Sequence, residues 1–446
     1  MEQLKTLPIG IQSFEKIREG SYLYIDKTEL IYKMIKGGTY YFLSRPRRFG
    51  KSLLMSTIHA VFDGKRELFE GLAIAGKSDM DWAKHPVLHL DLNTNKYDSV
   101  EVLEKKLDDS LYEWEQEYDC ERRDLPFGMR FENVIQHAYD KTGKGVVILV
   151  DEYDKPMLQA IGNEELQNEF RGTLKGFYGA LKSKDACIKF ALLTGVTKFG
   201  KVSVFSDLNN LRDISMNEQY ATICGITEDE LKGVVLPYVE HMAVVNKMTT
   251  DECLSKLKEQ YDGYHFCEDT EGMYNPFSLL NAFADSKFKS YWFETGTPTY
   301  LVELLQRDEY NLNDMEHAKA DADTLNSIDS TSKDPIPVIY QSGYLTIKDY
   351  DPEFGEYTLG FPNKEVEMGF TKFLLPWYIS KDKSRTAFDI KNFVLDIRSG
   401  NTEQFVKRLK ALFADTPYML IRDLENHYQN IIWAVCKLAG FYVQAE

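Results

Sequence analysis

The chain has 446 residues, room for two to four domains, and its 43% hydrophobic and 28% charged content is that of a soluble globular protein rather than a disordered one. A net charge of −17 speaks against a wholesale nucleic-acid binder, yet residues 1–60 carry ten Lys/Arg against five Asp/Glu, leaving −22 for the rest. Six cysteines lack C-x-x-C spacing, no basic-then-apolar leader opens the chain, and no run of eighteen apolar residues occurs. The expectation is a cytoplasmic protein with buried thiols and no membrane partner.

Along the chain, Asp26 or Thr28 is placed to cap a helix carrying Leu30, Ile31 and Ile35, which Gly37-Gly38 ends. This arm reads either as a cover for a nucleobase or as packing. The apolar run Tyr40-Tyr41-Phe42-Leu43 predicts a short buried strand. Arg45-Pro46-Arg47-Arg48-Phe49-Gly50 cannot continue it, and Leu53-Leu54-Met55 with Ile58 predicts a helix. Strand, tight loop, Gly-Lys-Ser and helix is the layout of a phosphate-binding loop. Arg47, Arg48, Phe49, Gly50, Lys51, Ser52 and Leu53 form the candidate cofactor-binding run. Lys51 is assigned to the β/γ-phosphates and Ser52 to Mg²⁺. The glycine that usually opens such a loop is replaced by Arg45, which with Arg47 and Arg48 suits an anionic ligand.

Pro86–Asp91 reads as a second strand, with His89 in an apolar run and so a core residue in preference to a metal ligand. Residues 99–118 and 128–141 read as helices. Val146-Val147-Ile148-Leu149-Val150-Asp151-Glu152 is the pattern of a central parallel strand, buried on both faces, whose C-terminal carboxylates face the ligand crevice. Asp151 is the candidate Mg²⁺ ligand opposite Ser52, and Glu152 the candidate base that polarises the attacking water. A helix from about Glu164 to Lys182 follows, then the apolar strand Ile188–Gly195. Thr194, at its end, senses the γ-phosphate or satisfies the turn before Gly195. Residues 201–215 read as an ordered loop or short strand near the site. The βα alternation makes residues 1–225 an α/β domain, a P-loop NTPase doubly wound parallel sheet.

From Thr227 the texture changes. Thr227-Glu228-Asp229-Glu230 is a capping box, and helices run to Tyr261. Val338–Ile347 and Tyr357–Pro362 read as a strand pair, so residues 226–398 are expected to be a mostly helical, winged-helix-like domain. Residues 318–335 read as a mobile loop or linker. Residues 399–446 begin with a helical pattern and reach what reads as the start of a strand at Gly440-Phe441-Tyr442-Val443.

Leu7-Pro8-Ile9-Gly10, Tyr24-Ile25-Asp26-Lys27-Thr28, Arg45–Ser52, Val150–Pro156, Leu193–Lys198, Tyr261-Asp262-Gly263-Tyr264 and Thr295-Gly296-Thr297-Pro298 together resemble the bacterial AAA-ATPase-like family. In that family a P-loop domain precedes a restriction-endonuclease-like nuclease domain. The resemblance spans essentially the whole chain, and the arginine-rich loop is specific to it. It implies that Arg45 habitually replaces the loop glycine, and that Lys51, Ser52, Asp151 and Glu152 serve ATP and Mg²⁺. It also implies that Glu425, Tyr428 and Gln429 belong to an incomplete C-terminal nuclease-like segment, 399–446. The catalytic Asp and Glu-x-Lys that would follow are absent. Because a two-metal nuclease needs that cluster, no nuclease activity is expected.

Three functions stay open at this point. The first is Mg²⁺-dependent ATP hydrolysis coupled to a conformational change. The second is a nucleotide-gated binding or signalling module that holds ATP or ADP with little turnover. The third is nucleic-acid processing. Arg171 and Arg212 are alternatives for an arginine finger or for surface ion pairs, and the sequence identifies neither the protein or nucleic-acid partner nor the oligomeric state.

Overall fold

The computed structural model describes residues 4–198, 204–205, 208, 210–295, 301, 305, 310–326, 334–379, 383–414, 424–438 and 440. Its first half is built on a five-stranded parallel sheet in the order β2-β3-β4-β1-β5. The strands are β1 (Tyr40–Ser44), β2 (Val87–Asp91), β3 (Val146–Asp151), β4 (Ile188–Gly195) and the two-residue β5 (Arg212–Asp213). Every residue of β1 and β3 is buried, and β4 exposes only Lys189, so helices cover both faces and the strands read as continuous apolar runs. β2 lies at the edge, where burial alternates. His89 therefore points outward and is exposed, its ring edge-on to His59 at 6.1 Å, which corrects its expected place in the core.

Helix α1 (Phe14–Glu19) packs on α3 (Lys51–Phe62), which lies against β3, while α2 (Thr28–Gly37) leads directly into β1. Neither Asp26 nor Thr28 is the cap of α2: Lys27 takes that position with no side-chain cap bond and Thr28 is the first helical residue, while the Asp26 carboxylate accepts from the Thr28 N–H at 2.8 Å. Helices α4 (Val100–Glu117), α5 (Phe127–Thr142) and α7 (Glu164–Tyr178) pack on one another, with Phe131 and Phe177 stacked at 4.4 Å. A short α6 (Lys155–Gln159) opens directly after the acidic end of β3.

Beyond residue 226 the expected capping box is present. Thr227 accepts from the Glu230 N–H, and the Glu230 side chain accepts from the Thr227 N–H, opening a helix at Glu228–Lys232. Together with Leu236–Val245, Thr250–Tyr261 and Pro276–Asp285 it forms a second core around Leu231, Val239, Leu257 and Leu279, joined by Leu23 from the N-terminal arm. A three-stranded antiparallel sheet follows, in the order β6-β8-β7: β6 (Lys319–Asp321), β7 (Thr346–Asp351) and β8 (Glu356–Gly360).

Two expectations are corrected here. The first half of the apolar run at 338–347 is the end of a helix, Ile336–Gln341, with Pro337 in its first turn, and the strand starts only at Thr346. The polar stretch 318–335 supplies β6 and a short helix, Ala322–Asn326, while residues 327–333 lie outside the described residues. So do residues 199–203, 206, 207 and 209 of the loop after β4, residues 296–298 and the expected strand at 441–443. The final helix Leu424–Leu438 packs on Lys364–Ile379. The side-chain Oδ1 of its Asn430 accepts from the Leu312 N–H at 2.8 Å, and Lys437 pairs with Glu367 at 3.1 Å. Among the described residues no helix is long and apolar enough to cross a membrane. All six cysteines are free thiols, five of them buried.

Candidate functional site

β4 lies between β1 and β3, so the loop after β1, the carboxylates after β3 and the hydroxyl at the end of β4 meet at one end of the sheet. The loop turns back on itself through two left-handed residues, Arg48 (φ 69°) and Gly50 (φ 95°). A Cβ on Gly50 would touch nothing within 4 Å, so its backbone angle, and not crowding, is what asks for glycine. Gly50 opens α3, and the first helical bond runs from the Leu54 N–H to the Gly50 carbonyl at 2.9 Å. The N–H groups of Lys51, Ser52 and Leu53 thus precede the ladder, at the positive end of the helix dipole.

Lys51 is 4% exposed. Its ammonium donates to the carbonyls of Arg45 (3.1 Å) and Pro46 (3.4 Å) and pairs with Glu152 at 3.3 Å. Asp151, at the end of β3, ties the start of α3 to the end of β4: its carboxylate accepts from Ser52 Oγ at 2.7 Å and from Thr194 Oγ1 at 2.6 Å. Thr194 is fully buried, so its hydroxyl acts on Asp151. Glu152 takes a left-handed conformation (φ 55°), an uncommon one for a residue with a side chain, and this swings its carboxylate back over the loop toward Lys51. Among the described residues no group of three His, Cys, Asp or Glu side chains is arranged to hold a metal. One hydroxyl and one carboxylate suit Mg²⁺ that brings phosphate oxygens and water as its other ligands.

Sequence reasoning missed Asp154. It is fully buried and accepts from the N–H groups of Val196 (3.2 Å) and Thr197 (2.6 Å) and from the Thr197 hydroxyl (2.7 Å), fastening the end of β4 to the turn after β3. Burial, with the Glu152 charge adding to it, pushes its carboxyl up to about 6. The only signal was its place in the Asp151–Pro156 run.

Of the loop arginines, Arg45 departs from the expected phosphate-facing role. Its side chain is 1% exposed, lies over the Phe266 ring at 4.0 Å, and donates to the carbonyls of Ser44 (2.9 Å), Ser215 (2.7 Å) and Tyr220 (3.2 Å). Arg47 and Arg48 stay exposed, with Arg48 over Phe277 at 4.9 Å. Phe49 is buried against Tyr264 and Phe266 and offers the site only its backbone. Arg212 lies in register with Tyr41, three residues short of the end of β1 and so about 10 Å below the loop. Arg171 bonds Asn168 on its own helix.

Beside the loop opens a pocket with about 660 Å³ of empty space, solvent mouth included. Tyr24, Ile31, Leu53, Cys224, Ile226 and Leu280 give it a largely apolar lining, which Gly50 of the loop also joins.

Residues 8–205 match a protein-family profile described as "Predicted AAA-ATPase". The chain is also 36% identical over 452 aligned positions to an "Uncharacterized protein in vnfD 5'region" of Azotobacter chroococcum mcd 1. That alignment covers 99% of this chain and 84% of the relative.

Proposed function

We propose that the chain, whose residues 8–205 match the predicted AAA-ATPase family, binds ATP with Mg²⁺ and hydrolyses it, coupling turnover to a conformational change read by a protein or nucleic-acid partner in the cytoplasm. The observation that carries this reading is Asp151, which accepts from Ser52 and from Thr194 at the mouth of the loop. Lys51 and the N–H groups at the start of α3 take the phosphates, with Arg47 and Arg48 at the rim. The apolar pocket beside Gly50 takes the base, so the N-terminal arm acts as its cover. Ser52 and Asp151 would hold Mg²⁺, which would supply neutralisation of the phosphate charge.

Glu152 accepts the proton of the attacking water. Its carboxylate pairs with Lys51 at 3.3 Å. A triphosphate that takes the Lys51 ammonium loosens this pair and leaves Glu152 to the water. Thr194 orients Asp151. The nuclease-like reading of residues 399–446 rests on the Glu425, Tyr428 and Gln429 pattern alone, and no cleavage is proposed for it.

Mg²⁺-dependent ATP binding and turnover, measured on wild type, Lys51→Ala and Glu152→Gln, test the proposal. Wild type hydrolyses, Lys51→Ala loses binding, and Glu152→Gln binds without turnover. A Glu152→Gln variant that hydrolyses as fast as wild type removes the base assignment. Tight retention of nucleotide with no turnover by wild type replaces hydrolysis with the gated-module reading.

A further inference from the structure

The phosphate loop is held from outside by residues far along the chain. Arg45 reaches the Ser215 and Tyr220 carbonyls, and Pro46 abuts Gly343, where a Cβ would come within 2.5 Å of the proline ring. The Arg47 carbonyl accepts from Trp292 Nε1 at 3.1 Å, and the Phe49 carbonyl from the Gly225 N–H at 3.2 Å. From the inner side Lys51 holds the carbonyls of Arg45 and Pro46.

A peptide unit is planar, and no cis bond occurs among the described residues, so a carbonyl fixed in one direction sends the N–H of the same unit in the other. With the Arg47 carbonyl bound to the indole, the Arg48 N–H points away from Trp292. With the Phe49 carbonyl bound to Gly225, the Gly50 N–H points away from that strand of chain. Carbonyl anchoring of this kind selects which face of the loop presents donors.

We propose that Trp292 is a positioning residue of the nucleotide site: its indole N–H, bonded to the Arg47 carbonyl, aims the Arg48 N–H at phosphate. The inference rests on the ATP-binding reading above. It makes Trp292, with Tyr264, Phe266 and Gly343, part of the surroundings of the nucleotide site. Trp292 is itself 6% exposed and braced by Phe293 (5.3 Å) and Tyr344 (5.0 Å), so the indole is a fixed donor. Any shift of the loop on nucleotide binding passes directly to that aromatic cluster.

The test is Trp292→Phe, which keeps the packed ring and removes the donor. Loss of one neutral hydrogen bond that orders a donor weakens Mg-ATP affinity about five-fold. The turnover rate at saturation stays within about two-fold, because Asp151 and Glu152 are untouched. Wild-type tryptophan emission changes on saturation with Mg-ATP, and that change is largely lost in the variant. A variant with a lower melting temperature but wild-type affinity and the full emission response overturns the proposal, since packing alone would then explain Trp292. Wild-type emission that does not respond to bound Mg-ATP overturns it as well, whether or not the variant folds. If wild type binds no ATP, the function reading falls and this inference with it. If wild type binds and Trp292→Phe binds equally, only this inference falls.

Discussion

Restoring the glycine that usually opens a phosphate loop is expected to damage this protein. Arg45→Gly removes a buried guanidinium and leaves the carbonyls of Ser215 and Tyr220 without the donors that now meet them at 2.7 and 3.2 Å. Each buried acceptor left unpaired costs about 1–3 kcal/mol, and the glycine adds about 0.5–1 kcal/mol of conformational entropy. The guanidinium's own desolvation, which holds its pKa below the usual arginine value, is relieved in the variant and offsets part of this loss. The net expectation is a destabilisation of about 3–5 kcal/mol, a large share of the ~5–15 kcal/mol a folded domain commands. A urea titration followed by far-ultraviolet circular dichroism measures it as a fall in midpoint. Mg-ATP affinity falls with it, since the loop loses its innermost anchor. An Arg45→Gly protein that unfolds at the wild-type urea concentration and binds ATP at least as tightly would refute the reasoning.

Thr194→Val keeps the shape of the buried side chain and deletes the 2.6 Å bond to Asp151. It is expected to cost about 1–2 kcal/mol of stability and at least ten-fold in steady-state turnover, with ATP affinity within a few-fold of wild type. Unchanged turnover would leave Thr194 with a packing role only. Asp154, a carboxyl raised from 3.8 to about 6 by burial and the Glu152 charge, contributes stability that is fully present below the lower value. That contribution is lost as pH rises through the upper one. Measured against Asp154→Asn, whose amide does not titrate, wild-type stability therefore falls between about pH 4 and pH 6. A flat difference across that window would contradict it.

The parts of the fold that sequence made legible are those where a local pattern and a tertiary role coincide. Tyr40–Leu43 and Val146–Val150 are continuous apolar runs because both faces of those strands are covered, and Thr227–Glu230 caps a helix through bonds within four residues. At the site, Lys51, Ser52, Asp151 and Thr194 sit at the ends of legible elements and duly converge. Arg45 was misread because its acceptors lie about 170 residues away and no spacing announces them. His89 sits in an apolar run but on an edge strand, and edge position is a property of sheet order, not of the run. Val338 and Ile339 fall in a stretch where a short buried helix and a strand look alike. Pro337, in the first helical turn, was the signal that separates them.

The distance in sequence between the loop and its anchors bears on how the chain is made. Residues 45–50 leave the ribosome long before Ser215, Trp292 and Gly343 exist, and at about 5–20 residues per second the wait for Gly343 is roughly 15–60 s. Until residue 266 is made Phe49 lacks the Tyr264 and Phe266 rings that bury it, and until residue 292 is made the Arg47 carbonyl lacks its donor. The nascent first half therefore exposes an aromatic residue of the loop until its partners are made. Chaperone occupancy during synthesis should peak on emerging chains shorter than about 340 residues and fall once Gly343 has cleared the exit tunnel.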